Sequence, residues 1–401
     1  MAERSQSISV PTLFDDLVRT DPAPASDGEG SFTFLNRVDQ PFWCRVRDQL
    51  EEWFGKYPMD AAADLAGRFR DFDSRQHFAA WWELYLFTLY RRLGYSVTVH
   101  PTVAGTTAQP DFLVARGNEE LYVEAAVVFS GIENEQGNAA REAWIYDLVN
   151  KATNPNFHVG LEFDRLGMQR PRETELIRPL EQWLTGLDPD SVADAFDAGQ
   201  EAPELYLPVR DWRLIFTALP VKSEHRGKPR RLLGIYPATA GAVNDKEMAR
   251  KTLNRKNGHY GRLDKPFVVA LLGMSSFMED RDIEQALFGS LAVQYYVNDP
   301  GREVKLVRQR DGFWMRGTQP RGTRVSAVLA GTGLMPWCPA RGLPRLWLNP
   351  WATTQLTVTD PFPTATANDR GLVVSTETNV EAHAILGLPQ DWPGPEPPFS
   401  D

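Results

Sequence analysis

Residues 121–128, LYVEAAVV, narrow the folds open to this chain more than any other stretch. In an extended backbone Leu121, Val123, Ala125 and Val127 face one way, and Tyr122, Glu124, Ala126 and Val128 face the other. Apart from Glu124 both faces are apolar, the pattern of a central strand covered on both sides. Residues 78–93, FAAWWELYLFTLYRRL, are apolar or aromatic at almost every position, so a helix there must bury most of its circumference. A doubly covered sheet with such a helix against it predicts an α/β fold.

The surrounding pattern alternates helix and strand. Amphipathic helices are expected over 45–57 and 61–72, then a long helix from Ser74 to Leu93, ended by Gly94. Three strands follow: YSVTVHPTV, DFLVAR and LYVEAAVVF. A helix over 138–152, the strand FHVGLEF and a helix over 173–186 come next. Further on are a hairpin of WRLIFTALPV with RRLLGIYP, a basic helix over 243–258, the buried strand PFVVALLGM, and the pair RVSAVLAG and RLWLNP. The expected division is a flexible segment 1–31, a helical region 32–73, a core 74–190, an α/β region 191–388 with no clear linker before it, and a Pro-rich tail 389–401.

The net charge of −10 hides an asymmetry. Residues 222–265 carry twelve Lys/Arg against four Asp/Glu, and residues 302–324 carry seven against two. One basic surface on an acidic protein fits a polyanionic partner, and equally a solvated helix face. Lys251, Arg255, Lys256 and Arg262 are the candidate phosphate contacts. His259 and Tyr260 are candidates to stack on a base or sugar, although Tyr260 fits as well as a side chain packed beneath the next strand. Two cysteines almost 300 residues apart argue against a disulfide framework. With no apolar run of about 20 residues and no secretory leader pattern, a cytoplasmic protein without membrane contact is expected.

Three acids are hard to explain as structure. Glu83 lies inside the apolar helix, with Ala79, Phe87 and Tyr90 on its strip. Left unpaired there, an ionised carboxylate costs several kcal/mol, so it must be protonated, bound to a metal, or paired with Arg91, Arg92 or a more distant base. Glu124 is the second buried acid. Asp111 opens the run FLV after Pro110, and a hairpin closed by ARGNEE brings it within reach of the same ion as Glu124. Converging carboxylates suit a hard cation, Mg²⁺ or Mn²⁺.

Glu83 in the first core helix, Pro110-Asp111 opening the second strand and Glu124 in the third resemble the PD-(D/E)XK nuclease superfamily, in a bacterial branch. The resemblance implies a restriction-endonuclease-like core (helix, three-stranded meander, helix, strand) with large α+β additions. It implies a metal-dependent nuclease acting on DNA ahead of RNA, in phage defence, with Glu83, Asp111 and Glu124 on the metal. A homo-oligomer or a defence-system partner belongs to the same expectation. The family's lysine falls two residues after the glutamate, where this chain has Ala126. Because members of the superfamily take that lysine from the following helix, Lys151 is the expected catalytic stand-in, on one face with Trp144 and Leu148. Lys151 also reads as a cation at a helix C-terminus. His100, ending the first strand, is a weaker candidate base. The alternative function is a catalytically inactive nucleic-acid-binding or assembly subunit.

GTGLMP has Pro336 where a dinucleotide loop needs glycine, GKPRR lacks the first glycine of a P-loop, and no G-x-S-x-G elbow occurs.

Overall fold

The computed structural model describes residues 11–26, 28–129, 133–198, 200, 202–228, 232–235, 245–258, 260, 263–275, 278–294, 305–316, 319–357, 359–368 and 372–395. Two compact units share the chain, one of residues 1–22, 30–130 and 243–396, the other of 23–29, 131–242 and 397–401.

The first unit begins with α1 (Ser31–Arg37), α2 (Pro41–Phe54), α3 (Met59–Phe69) and α4 (Ser74–Arg92), then β1 (Ser96–Val99), β2 (Phe112–Arg116) and β3 (Glu119–Val128). The second unit supplies α5 (Glu133–Val149), β4 (Phe157–Arg165), α6 (Glu173–Thr185), α7 (Pro189–Asp197), β5 (Glu204–Val209), β6 (Trp212–Pro220) and β7 (Leu233–Ile235). Back in the first unit come α8 (Asp245–Asn257), β8 (Phe267–Gly273), α9 (Asp280–Phe288), β9 (Leu291–Gln294), β10 (Lys305–Arg308), β11 (Met315–Arg316) and β12 (Gln319–Pro320). The chain closes with β13 (Ala327–Thr332), β14 (Arg345–Leu348), β15 (Thr364–Ala367), β16 (Val373–Thr376) and α10 (Ala382–Leu386).

The fold is α/β. An eight-stranded mixed sheet in the order β1-β2-β3-β8-β13-β14-β15-β16 forms the middle of the first unit. The meander β1–β3 is antiparallel, while β3 pairs with β8, and β8 with β13, in parallel. As LYVEAAVV requires, β3 is covered on both faces. Val123 and Ala125 join a core with Trp81, Trp82 and Leu86 of α4, whereas Tyr122, Ala126 and Val128 join one with Ala249 and Leu253 of α8. Helix α4 is buried from Ala80 through Tyr90, and Trp82 Nε1 donates to Ala270 O at 2.9 Å, so its indole is satisfied inside the core. Asp73 caps α4 by accepting from Arg75 N, and Gly94, at φ +88°, ends it.

The sequence-based division needs three corrections. Residues 74–190 are not one core: after Val128 the chain leaves the sheet for the second unit and returns at α8. FHVGLEF therefore does not join the meander; as β4 it lies between β6 and β7 in a separate four-stranded sheet, β5-β6-β4-β7. The strand beside β3 is instead PFVVALLG, apolar throughout and wholly buried as β8, as a central parallel strand must be. Second, β6 and β7 form no hairpin with each other; each pairs with β4. Third, the first unit holds parts of both end segments. Leu13 and Phe14 are buried, with Phe14 edge-on to Phe69, and Trp392 packs against the same core.

Candidate functional site

Because Phe112 faces Val123 across the hairpin, Asp111 and Glu124 are the next pair of positions along. Asp111 Oδ2 accepts from Ala125 N at 2.7 Å, which fixes its carboxyl against β3. Its other oxygen accepts no hydrogen bond among the described residues. Glu83 reaches the same place from α4. Ligand atoms of Glu83, His100 and Asp111 all lie within 4.8 Å of one another. Burial, then the neighbouring carboxylates of Glu124 and Glu83, push the Asp111 carboxyl well above the usual carboxylate range, against the pull of the Ala125 amide and Lys256. Glu83 and Asp111 thus come together with His100, while Glu124 lies outside that group and acts on Asp111 through its charge.

Two cations oppose them. Arg68 of α3 forms a fork on Glu83, at 2.6 Å to Oε1 and 2.7 Å to Oε2, and its Nε is held by Asp64 at 2.9 Å. The buried glutamate is therefore paired, by Arg68 rather than by Arg91 or Arg92. On the other face Lys256 Nζ lies 2.5 Å from Glu124 Oε1, and the Tyr260 hydroxyl donates to Glu124 Oε2. The Tyr260 ring also packs edge-on to Phe267, so the packing and site readings of this residue hold together. Burial and the Glu124 charge raise the Tyr260 phenol, and burial and the Glu83 charge raise that of Tyr57, so both stay protonated. Glu83 and Glu124 are buried, but Asp111 and Lys256 are partly exposed, so the cluster opens to solvent.

Lys151 does not fill the expected role. It lies in the second unit, more than half exposed, with Nζ 3.3 Å from Glu173. The face predicted to carry it toward the meander packs elsewhere: Leu148 and Trp144 belong to the second unit's own core with Phe157, Val159 and Phe216. On Glu124 stands Lys256 instead, a residue that the charge pattern alone places among the phosphate contacts. A signal for this lies in the spacing of Ala249, Thr252, Leu253, Lys256 and Tyr260, which puts Lys256 on the apolar face of its helix. Lys251 and Arg255 lie on the exposed face of α8. Arg262 and His259 fall outside the described residues.

Beside α8 lies a cleft of about 460 Å³, lined by Arg250, Asn254, Asn257, Phe313 and Arg321. Arg250 is tied to Asp311 and Glu247, and Asp311, the two asparagines and Arg321 form the rest of its polar edge. Among the described residues no helix is long and apolar enough to cross a membrane.

Among the described residues one group could hold a divalent cation: the buried carboxylate of Glu83, the Asp111 carboxylate with its free oxygen, and the His100 imidazole. Compared with family profiles, with characterised proteins and with solved structures, the chain matches none.

Proposed function

We propose that the chain is a metal-dependent nuclease, hydrolysing phosphodiester bonds in DNA ahead of RNA, in keeping with the superfamily its motifs resemble. The observation that carries this reading is the ion pair of Lys256 with Glu124 beside Asp111. It gives the acidic pair a lysine, the residue type that Ala126 leaves out of the motif. The order α4, β1–β3, α8, β8 supports the restriction-endonuclease-like core, with residues 131–242 inserted between β3 and α8.

Asp111, Glu124 and Glu83 would hold Mg²⁺ or Mn²⁺, and the ion would supply Lewis acidity toward water and phosphate. The chain's own groups have separable roles. Lys256 brings a fixed positive charge and proton donors to the exposed edge of the cluster, where an attacking water and a phosphate oxygen are stabilised. Tyr260 holds the second oxygen of Glu124, restricting that carboxylate to one orientation. Arg68 does the same for Glu83 from the opposite face. Lys251 and Arg255 meet the backbone of the bound strand.

The test is incubation of the purified protein with plasmid, linear and single-stranded DNA and with RNA, in Mg²⁺ or Mn²⁺, beside Asp111→Ala and Lys256→Ala. Cleavage by wild type that both substitutions abolish is expected. Metal-independent binding with no cleavage of any substrate would instead establish an inactive nucleic-acid-binding subunit.

A further inference from the structure

We infer that His100 is a ligand of the same ion, with Asp111 and Glu83, and that the centre therefore prefers Mn²⁺ or a similar transition-metal dication to Mg²⁺. This rests on the reading of the acidic cluster as a metal centre and names the ion that centre selects.

His100 follows the last residue of β1, and its N–H donates to Asp111 O at 2.9 Å. The backbone ladder thus sets the imidazole beside the Asp111 carboxyl. Its φ is +46°, and among the described residues only Arg210 shares a positive φ without being glycine. Arg210 has a local reason, since it lies in the two-residue turn between Val209 and Trp212, where positive φ is the rule. His100 has no such reason. It precedes Pro101, a position that favours extended backbone with strongly negative φ. Strain of this kind costs on the order of 1–3 kcal/mol and persists where something requires the side chain's position.

The ring has no structural employment. Among the described residues His100 makes no side-chain hydrogen bond and no ion pair. Instead, one of its nitrogens lies within 4.8 Å of carboxylate oxygens of both Glu83 and Asp111. Ligands bound to one ion at about 2.1 Å lie roughly 3 to 4 Å apart, so closing the three onto an ion needs movements of an ångström or less. The Arg68 fork does not bar Glu83 from this, because a carboxylate has about four lone-pair sites and Arg68 takes two.

The donor set decides the preference. Mg²⁺ favours oxygen ligands and keeps its waters, whereas an imidazole suits the transition metals, whose affinities rise along the series from Mn²⁺. Replacing one carboxylate or water with an imidazole gives up little for Mn²⁺ and more for Mg²⁺.

The experiment titrates the full chain with Mn²⁺, following free ion by electron paramagnetic resonance, with Mg²⁺ as competitor. Electron spin-echo modulation of the bound Mn²⁺ then reports any directly coordinated nitrogen. Wild type should bind Mn²⁺ at least about tenfold more tightly than Mg²⁺ and show nitrogen modulation. His100→Gly, which accepts the positive φ, should lose the modulation and most of the preference while keeping Mg²⁺ affinity. His100→Asn, which also tolerates that φ, replaces it if the glycine variant melts early. Asp111→Asn should lose both ions. Unmodulated Mn²⁺ in wild type, with unchanged affinity in both His100 variants, overturns the assignment of His100 and leaves the nuclease reading standing. Nitrogen-coupled Mn²⁺ in a protein that cuts no substrate does the reverse. Failure of wild type to bind either ion overturns both.

Discussion

Lys256 Nζ stands 2.5 Å from Glu124 Oε1, joining a basic helix to a central strand across 132 residues of chain. Ala126, two positions along the same strand, is buried beneath that helix with Ala249 and Leu253. Ala126 packs under α8, and the last turn of that helix delivers the amine to Glu124. Removing the amine should lower kcat by about 10²–10³ with little change in KM, as for loss of one preorganised donor at a charged transition state. Lys256→Met should show this loss, and Lys151→Met should cut at the wild-type rate. Initial-rate measurements on a fixed DNA substrate decide; a fully active Lys256→Met would end the assignment.

Arg68 is the counterion that makes Glu83 tolerable in the core. Its side chain is a quarter exposed, while that of Glu83 is 8% exposed, so deleting the arginine strands the more buried charge. Arg68→Ala should destabilise the protein by about 3 kcal/mol, toward the low end for a broken buried pair. Asp64→Ala touches the same guanidinium from a mostly exposed position and should cost under about 1 kcal/mol. Urea melts of the two variants separate these values. Equal, small losses would mean that Glu83 has another cation.

What the sequence makes legible here is local. Glu83 and Glu124 announce themselves as charges inside apolar runs, and Asp111 follows from the length of the turn that pairs β2 with β3. The α/β class and the burial of α4 follow from the same runs. What is not legible is which helix covers which strand. Trp144 and Leu148 share a helix face, and so do Leu253 and Lys256; periodicity shows that each face packs inward, not what it packs against, and Lys151 falls beyond the helix end. A 112-residue excursion between β3 and α8 removes adjacency in sequence as a guide. The better clue is PFVVALLG, whose unbroken apolar run demands a central parallel position that FHVGLEF, with His158 and Glu162, does not. Arg68 escapes a reading of the sequence because a helix of ordinary composition gives no sign that one of its arginines turns inward.

Lys251 and Arg255 occupy successive turns of α8 on its exposed face. If they bind phosphates, Lys251→Ala/Arg255→Ala should weaken binding alike for all DNA sequences. The slope of log affinity against log salt should shrink by roughly 2, close to 0.9 for each phosphate that is no longer neutralised. Fluorescence anisotropy in EDTA between 50 and 200 mM salt, a range chosen to resolve that slope, measures it without cleavage. An unchanged slope would return these residues to an ordinary solvated surface.

His77 gives the fold a pH dependence separate from the site. The ring is fully buried in α4 between Phe69 and Phe78, Nδ1–H donates to Phe69 O at 2.7 Å, and Nε2 has no partner. Burial lowers its pKa from 6.5 to about 4, partly opposed by the Phe69 carbonyl, so the folded state holds the neutral ring. The unfolded chain takes up a proton near pH 6.5 that the folded chain refuses until about pH 4. The stability tied to this residue is therefore complete above pH 6.5 and falls away as pH drops toward 4, by about 3 kcal/mol in all. His77→Gln keeps a donor for the Phe69 carbonyl but has nothing to titrate, so its stability should fall less steeply across this window. Parallel melts of the two proteins from pH 7.5 to 4 test this; curves of equal slope would show that His77 titrates alike in the folded and unfolded chain.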